Sequence, residues 1–364
     1  MVDSGRRRDV PDRRAGPAAL DQAAGPALAC YLSRAGYSVT VVERAAALRD
    51  SGYAVDFRGD AVSVLAELGI LDEVRGHRTG MRGTTLVDDD GVAVDQWGPD
   101  VFGGDLEVPK RALTAILHRL TADTVTYIFG DTITALRQQE SGVAVEFAHR
   151  PPSKFDLVVG ADGMYSAVRA LAFGPHERFL RHLGMSGAGF STANFLGLDH
   201  TGLLQPSGTT AVYLFGGDPD DRLTVSLSFA TESPELDRRD RRAQEDAVRS
   251  AFAGRGWEIP RLLDAMSRAD DYYFASTGQV EVDQWHRGRV VLVGDAGYCA
   301  APTSGSGTSQ ALIGARTLAR ALAGSGYEDA FTAYERQLRP FVAQNQAAGR
   351  AAASMFGGGT VGAP

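Results

Sequence analysis

The sequence predicts an α/β protein with one domain assembled from distant parts of the chain. Three observations predict it. A helical pattern over Pro26–Ala35 leads into an apolar strand, Ser38–Glu43. Two further apolar strands, Phe155–Gly160 and Arg289–Gly294, each run into a turn containing glycine and aspartate. Between those two lies a β-rich stretch, and after them a long alanine-rich helical pattern. Helix–strand alternation at both ends, split by an antiparallel insertion, is the signature of two interleaved domains.

Composition bounds the function. The 364 residues are 44% hydrophobic and 23% charged, values of a globular chain that can bury a sizeable core. A net charge of −8 argues against a nucleic-acid partner. Cys30 and Cys299 are the only cysteines, which excludes a disulfide framework. No apolar run reaches about 18 residues and no signal peptide is visible, so the expectation is a cytoplasmic protein with no membrane partner. Lys110 and Lys154 are the only lysines among 37 basic residues, a bias that carries no functional weight by itself.

The elements follow in order. Residues 1–22 mix arginines, aspartates and prolines without periodicity, and the reading is a disordered arm. In the helix Pro26–Ala35, Leu28, Tyr31 and Leu32 share a face, and Gly36 ends it. Tyr53–Phe57 reads as a strand. Asp60 starts a helix through Leu68, stopped by Gly69. Pro109 opens a helix to about Leu120. Short strands follow at Thr124–Phe129, Thr132–Leu136 and Val143–Phe147. Thr210–Phe215 and Leu223–Phe229 alternate as β-strands, 243–253 and 261–266 read as helices, and Tyr272–Val282 is extended. No metal-ligand spacing occurs among the seven histidines, no P-loop is present, and Ser304-Gly305-Ser306-Gly307 lacks the leading glycine of a nucleophile elbow.

Three motifs carry chemistry. The first is Ala24-Gly25-Pro26-Ala27-Leu28-Ala29, then Gly36 and Val41-Val42-Glu43. A dinucleotide-binding βαβ unit needs a strand, a glycine-rich turn, a helix whose N-terminus meets a pyrophosphate, and an acidic residue closing the next strand. Gly25 serves as the third glycine, with Glu43 18 residues later. The first two glycine positions fall at Leu20 and Gln22, and the strand before them falls on a segment without strand character. An ordinary helix–strand pair is the competing reading. The second motif is Asp156-Leu-Val-Val-Gly160-Ala161-Asp162-Gly163 with Ser166, Val168 and Arg169; here Asp162 is either a functional carboxylate or a helix cap. The third is Gly288-Arg-Val-Val-Leu-Val-Gly294-Asp295-Ala296, then Pro302, Gly305, Gly307 and Thr308 before a long helix. It sets a carboxylate at a strand's end and a glycine-rich loop at a helix N-terminus, whose dipole favours negative charge on a ligand.

In this order the strings resemble the FAD-dependent monooxygenases of the aromatic-hydroxylase type, the group of para-hydroxybenzoate hydroxylase and the tetracycline-modifying flavoenzymes. The resemblance covers roughly residues 24–350 and includes Gly52-Tyr-Ala-Val-Asp56-Phe-Arg58-Gly59 and Gly256-Trp257-Glu-Ile-Pro260. It implies an FAD-binding Rossmann-like domain of the glutathione-reductase type at 23–80, 105–175 and 283–325. A β-rich substrate domain follows at 81–104 and 176–282, and a C-terminal helical region with a flexible tail at 326–364. It places Gly25 at the pyrophosphate, Glu43 at the adenosine ribose, Arg44 toward the adenine and Asp56 near the FAD. Lys110 and Arg111 lie against the cofactor, Asp162 and Gly163 belong to a motif linked to FAD and NAD(P)H, and Asp295 holds the ribityl chain. Pro302, Gly305, Ser306, Gly307 and Thr308 lie along the isoalloxazine.

The implied chemistry is reduction of FAD by NADPH or NADH, oxygen addition as a flavin hydroperoxide, and hydroxylation of an aromatic or polyketide-like molecule by a monomer or homodimer. No protein acid or base is named, because the cofactor does the difficult chemistry. Tyr213, Phe215, Tyr272, Tyr273 and Phe274 are candidates to line the substrate side. The sequence departs from the pattern in its first strand, which reads as missing or replaced, at Tyr298 where histidine is frequent, and at Ser306 where glutamine or lysine is frequent. A redox-neutral flavoenzyme, or a flavin-poor homologue acting as a binding protein, stays open as the alternative.

Overall fold

The computed structural model describes residues 14–16, 23–48, 54–99, 101, 104–217, 222–232 and 240–355. Its first sheet has six strands in the order His286–Arg287, Val290–Leu292, Leu157–Gly160, Arg14–Gly16, Ser38–Glu43, Val125–Phe129. All neighbours are parallel except the first pair. Leu157–Gly160 and Val290–Leu292 are buried at every position, as expected of parallel strands covered on both faces.

The first strand is a correction to the sequence reading. It is not missing: Arg14–Gly16 stands at the sheet's centre, with Ala15 opposite Leu157 on one side and Val39 on the other. Arg-Ala-Gly has little strand preference of its own. Two neighbours with open ladder groups make the strand, so context overrides propensity. The rest of the expected disordered arm, with the glycine positions at Leu20 and Gln22, lies outside the described residues, as does the tail beyond 355.

The second sheet has seven strands, ordered Tyr273–Val280, Leu180–Ala193, Arg222–Ala230, Thr210–Gly216, Thr201–Ser207, Thr84–Val87, Ala93–Trp97. One face packs under the helices Arg241–Ala251 and Ile259–Arg268. There Val212, Leu214, Leu223, Val225 and Leu227 meet Val248, Phe252, Leu262 and Met266. The sequence reading missed Leu180–Ala193, the longest strand, because Gly184, Gly187 and Gly189 break its apolar pattern.

Ala54–Phe57 and Leu106–Pro109 form a separate antiparallel pair. The helix Gly307–Gly324 is buried along most of its length between the helices Ala24–Arg34 and Tyr327–Met355. Arg316 anchors it to the helix Asp60–Leu68 through Asp60 and, at 3.1 Å, Glu67. Asp60 therefore spends its carboxylate on an ion pair rather than a cap, and Gly59 stands before the helix.

Candidate active site

The parallel strands of the first sheet end on one edge. The strand order reverses between Arg14–Gly16 and Leu157–Gly160, and a crevice for a ligand forms outside such a switch point. The three motifs meet there. The helix Ala24–Arg34 starts at this edge with no side-chain cap and no acidic residue in its first turn, and Gly25 is buried within that turn. The first-turn N–H groups and positive dipole end of a helix start suit an anion. Gly294 packs on this helix start: a Cβ at Gly294 would lie 2.9 Å from Ala24 Cβ. A Cβ at Gly160 would lie 2.7 Å from Leu292 Cδ2. Only glycine allows the second and third motifs to approach so closely.

Arg169 ties them together. Its side chain is fully buried and donates to Ala296 O at 2.8 Å and Met164 O at 2.6 Å, with His176 Nδ1 at 3.1 Å. Burial pushes the guanidinium down from its ordinary value, and burial followed by the Arg169 charge pushes His176 down. Asp162 accepts from the Ser166 hydroxyl and, at 3.1 Å, from Val168 N–H. The cap of the helix Ala167–Phe173 is Ser166, whose Oγ accepts from Arg169 N–H at 2.9 Å, so Asp162 braces the helix start from behind the cap rather than being the cap itself. Gly163 next to it has φ 82°.

Glu43 closes its strand buried at 5% exposure, with Oε1 accepting from Ala45 N–H at 2.7 Å. Arg44 beside it is exposed. Burial raises the Asp295 carboxyl above the usual range, against the opposing charge of Lys110. Lys110 stands in the first turn of the helix Lys110–Thr121, with Arg111 one step on, and its charge is felt at Asp295.

The loop 301–308 is tightly constrained. Ala301 has φ 73° and ψ 153°, a region that nearly all residues but glycine avoid, at a cost of about 1–3 kcal/mol. Ser304 Oγ donates to Ala301 O at 2.8 Å and Thr303 Oγ1 to Gly349 O at 2.8 Å. Arg58 Nε donates to Gly305 O at 3.3 Å, and Ser309 Oγ to Asp56 O at 3.2 Å. Gly305, at φ 59°, faces Asp56 and Arg58. Pro302, Ser306, Gly307 and Thr308 complete the loop and the first turn of its helix. Asp56 is therefore joined to this loop rather than to the strand-end carboxylates. Arg58, Glu107, Thr79 and Ser309 were not foreseen as site residues; the Asp56-x-Arg58 alternation was the one available signal.

The seven-stranded sheet turns its other face toward this cluster. On it Tyr213 pairs with Ser226, Phe215 with Thr224 and Gly189 with Tyr273. The Tyr213 and Phe215 rings lie 5.5 Å apart, and Tyr213 senses Glu107 and Asp56, burial having pushed its hydroxyl up to about 12. The five aromatic candidates divide. Phe274 joins the helix-covered core against Phe229, and Tyr272 packs on the same core beneath Arg241. Only Tyr213, Phe215 and Tyr273 share the face opposite the helices.

Tyr298 stands where the pattern leads one to expect histidine, and the packing explains it. Its hydroxyl shares a hydrogen bond with Tyr334 at 2.7 Å and fills the space beside Gly314. It belongs to the seam with the C-terminal helix.

The fold and the meeting of three glycine-containing motifs at its strand ends are those of an α/β dinucleotide-binding protein. The chain belongs to the FAD binding domain family, whose model matches residues 22–348. It is an oxidoreductase of the FAD-dependent monooxygenase type. An uncharacterized protein of Mycobacterium tuberculosis, Rv1260, is 40% identical over 331 residues, 89% of each chain. A flavin-dependent monooxygenase of Legionella longbeachae is 35% identical over 329 residues, 89% of this chain and 84% of its own. The crystal structure of tetracycline destructase Tet(55) superposes with a TM-score of 0.86 at 34% identity, covering 95% of this chain and 90% of that one. Among the described residues no helix is long and apolar enough to cross a membrane, and no group of metal-ligating side chains occurs.

Proposed function

We propose that the protein is an NAD(P)H- and FAD-dependent monooxygenase that hydroxylates an aromatic or polyketide-like small molecule. The observation that carries this reading is the meeting of three motifs at one sheet edge, beside a sheet face bearing Tyr213, Phe215 and Tyr273. The residues present fit FAD. The helix start at Ala24–Gly25 takes the pyrophosphate, and Gly294 gives it room. Glu43 and Arg44 hold the adenosine end, Asp295 and Lys110 the ribityl chain with Arg111 beside them, and the loop from Pro302 to Thr308 the ring. Gly163 keeps the backbone close while Asp162 fixes the turn. When bound, FAD accepts reducing equivalents from NAD(P)H and activates oxygen. The protein orients the ring and substrate and keeps water out. The segments 23–80, 105–175 and 283–325 form the flavin domain, and 81–104 with 176–282 the substrate domain. Flat rings suit a face that carries Tyr213, Phe215 and Tyr273, the Tyr273 ring lying directly over Gly189. The support for a substrate of this kind is that Tet(55) is named for tetracycline.

The test is an FAD titration followed by visible absorbance, then NAD(P)H oxidation with a panel of aromatic and polyketide compounds. Stoichiometric yellow protein whose NAD(P)H consumption yields a hydroxylated product is expected. A folded chain that ignores FAD overturns the reading. Asp295→Asn should raise the FAD Kd about 10–100-fold, the loss of one charge-assisted hydrogen bond, while the urea midpoint does not fall. Equal losses of both would make Asp295 a structural residue only.

A further inference from the structure

Asp56 and Glu107 form an acidic pair that the holding of a dinucleotide does not explain. They stand directly opposite each other across the antiparallel strands Ala54–Phe57 and Leu106–Pro109, so both carboxyls leave the same face. The Asp56 side chain is only 15% exposed. Among the described residues one cation, Arg58, acts on both acids: its Nη2 lies 3.5 Å from Asp56 Oδ2, and its Nε donates to Gly305 O. The Thr79 hydroxyl donates to Glu107, and His200, just before the strand Thr201–Ser207, hydrogen-bonds Thr79 O. From the seven-stranded sheet Tyr213 also faces both acids, as a neutral phenol. Two largely buried carboxylates at directly opposed positions of a strand pair, sharing the Arg58 guanidinium, cannot both ionise cheaply. Burial, then the neighbouring Glu107 charge, pushes Asp56 up to about 7, and burial pushes Glu107 upward as well.

We propose that Asp56 and Glu107 hold one proton between them at neutral pH. Glu107 is then a positioning residue that keeps Asp56 an O–H donor beside the Gly305 loop rather than an anion. The proposal rests on the reading of that loop as the flavin side. Its physical sense is charge economy. FAD carries a negatively charged pyrophosphate and a ring that gains negative charge on reduction, and a neutral carboxyl offers it a donor without a further negative charge. The proton belongs to the pair, so its midpoint is a property of both residues.

Carboxyl carbon NMR of the full-length chain without FAD tests the shared proton directly. The Asp56 resonance, assigned by its absence in Asp56→Asn, should titrate near pH 7. In Glu107→Gln, which keeps an acceptor for Thr79, the midpoint should fall by about a unit or more as the like charge goes. FAD titrations across pH provide the second readout. In the wild type the Kd should rise up to about tenfold per pH unit above the midpoint, and in Asp56→Asn it should be flat. Asp56 titrating in the ordinary carboxylate range, or at an unmoved midpoint in Glu107→Gln, overturns the proposal. If FAD fails to bind at any pH while the NMR midpoints behave as stated, the shared proton stands and the flavin reading is what falls.

Discussion

In the six-stranded sheet, Leu157–Gly160 and Val290–Leu292 are buried at every position, whereas in the seven-stranded sheet burial alternates. Leu223, Val225, Leu227 and Phe229 face the helices, while Thr224, Ser226 and Ser228 turn to the other side. A sheet covered on both faces can present chemistry only at its strand ends, and there Glu43, Asp162 and Asp295 stand. A sheet covered on one face can present a surface, and there Tyr213, Phe215 and Tyr273 stand. On the proposed function the difference divides labour: the first sheet would grip the ends of a long ligand at its strand ends, and the second would offer a plane. The Asp56–Glu107 pair belongs to neither sheet: Arg58 beside it bonds the Gly305 loop, and Tyr213 of the second sheet senses both acids.

The contrast is most easily broken on the outer sheet. Leu227 is fully buried under the helices, and Leu227→Ala should cost about 2–5 kcal/mol through lost burial and a residual cavity. Ser226→Ala, on the opposite face one residue away, should stay within about 0.5 kcal/mol. Urea unfolding of both variants decides it, and equal costs would erase the distinction between the faces.

A smaller effect sharpens the account of the first sheet's underside. A Cβ at Gly314 would lie 2.1 Å from the Tyr298 hydroxyl, inside the seam with the C-terminal helix. Gly314→Ala should cost about 1–3 kcal/mol by overpacking. Adding Tyr298→Phe removes the offending oxygen, leaves Tyr334 its bond to Leu292 O at 3.1 Å, and should recover part of that loss. Additive losses in the double variant would place the strain elsewhere.

The smallest effect is a pH dependence at the motif junction. His176 is held below its ordinary 6.5 by burial and then by Arg169. As pH falls below 6.5 the unfolded chain takes up this proton before the folded chain does, so stability is full above that value and declines on the acid side. His176→Gln keeps an acceptor for Arg169 and does not titrate. The difference between its stability–pH curve and that of the wild type should bend below 6.5 and be flat above it. Parallel curves would show that His176 does not feel the guanidinium.

The buried strands were legible because complete burial leaves an unbroken apolar run, as in Val290-Val-Leu292, and their strand-end aspartates were legible because glycine marks each turn. That Gly25, Asp162 and Asp295 share one site was implied by the family resemblance of the three motifs in their order, not by the glycines alone. Leu180–Ala193 was not legible, since glycine and serine on its open face dilute the alternation. Nor was the sorting of Phe274 and Tyr272 into the core and Tyr273 onto the open face, because that depends on which face the helices cover.

Taken alone, the sequence determined the α/β class, the interleaved order of the segments and the three motifs, because these depend on local periodicity and on where glycine must stand. Tertiary structure decided the rest. It made a central strand of Arg14–Gly16, whose residues do not favour one, because two open ladders flank it. It also set Asp56 against Glu107, residues far apart in the chain whose meeting depends on strand register, and register is fixed only once both strands are packed.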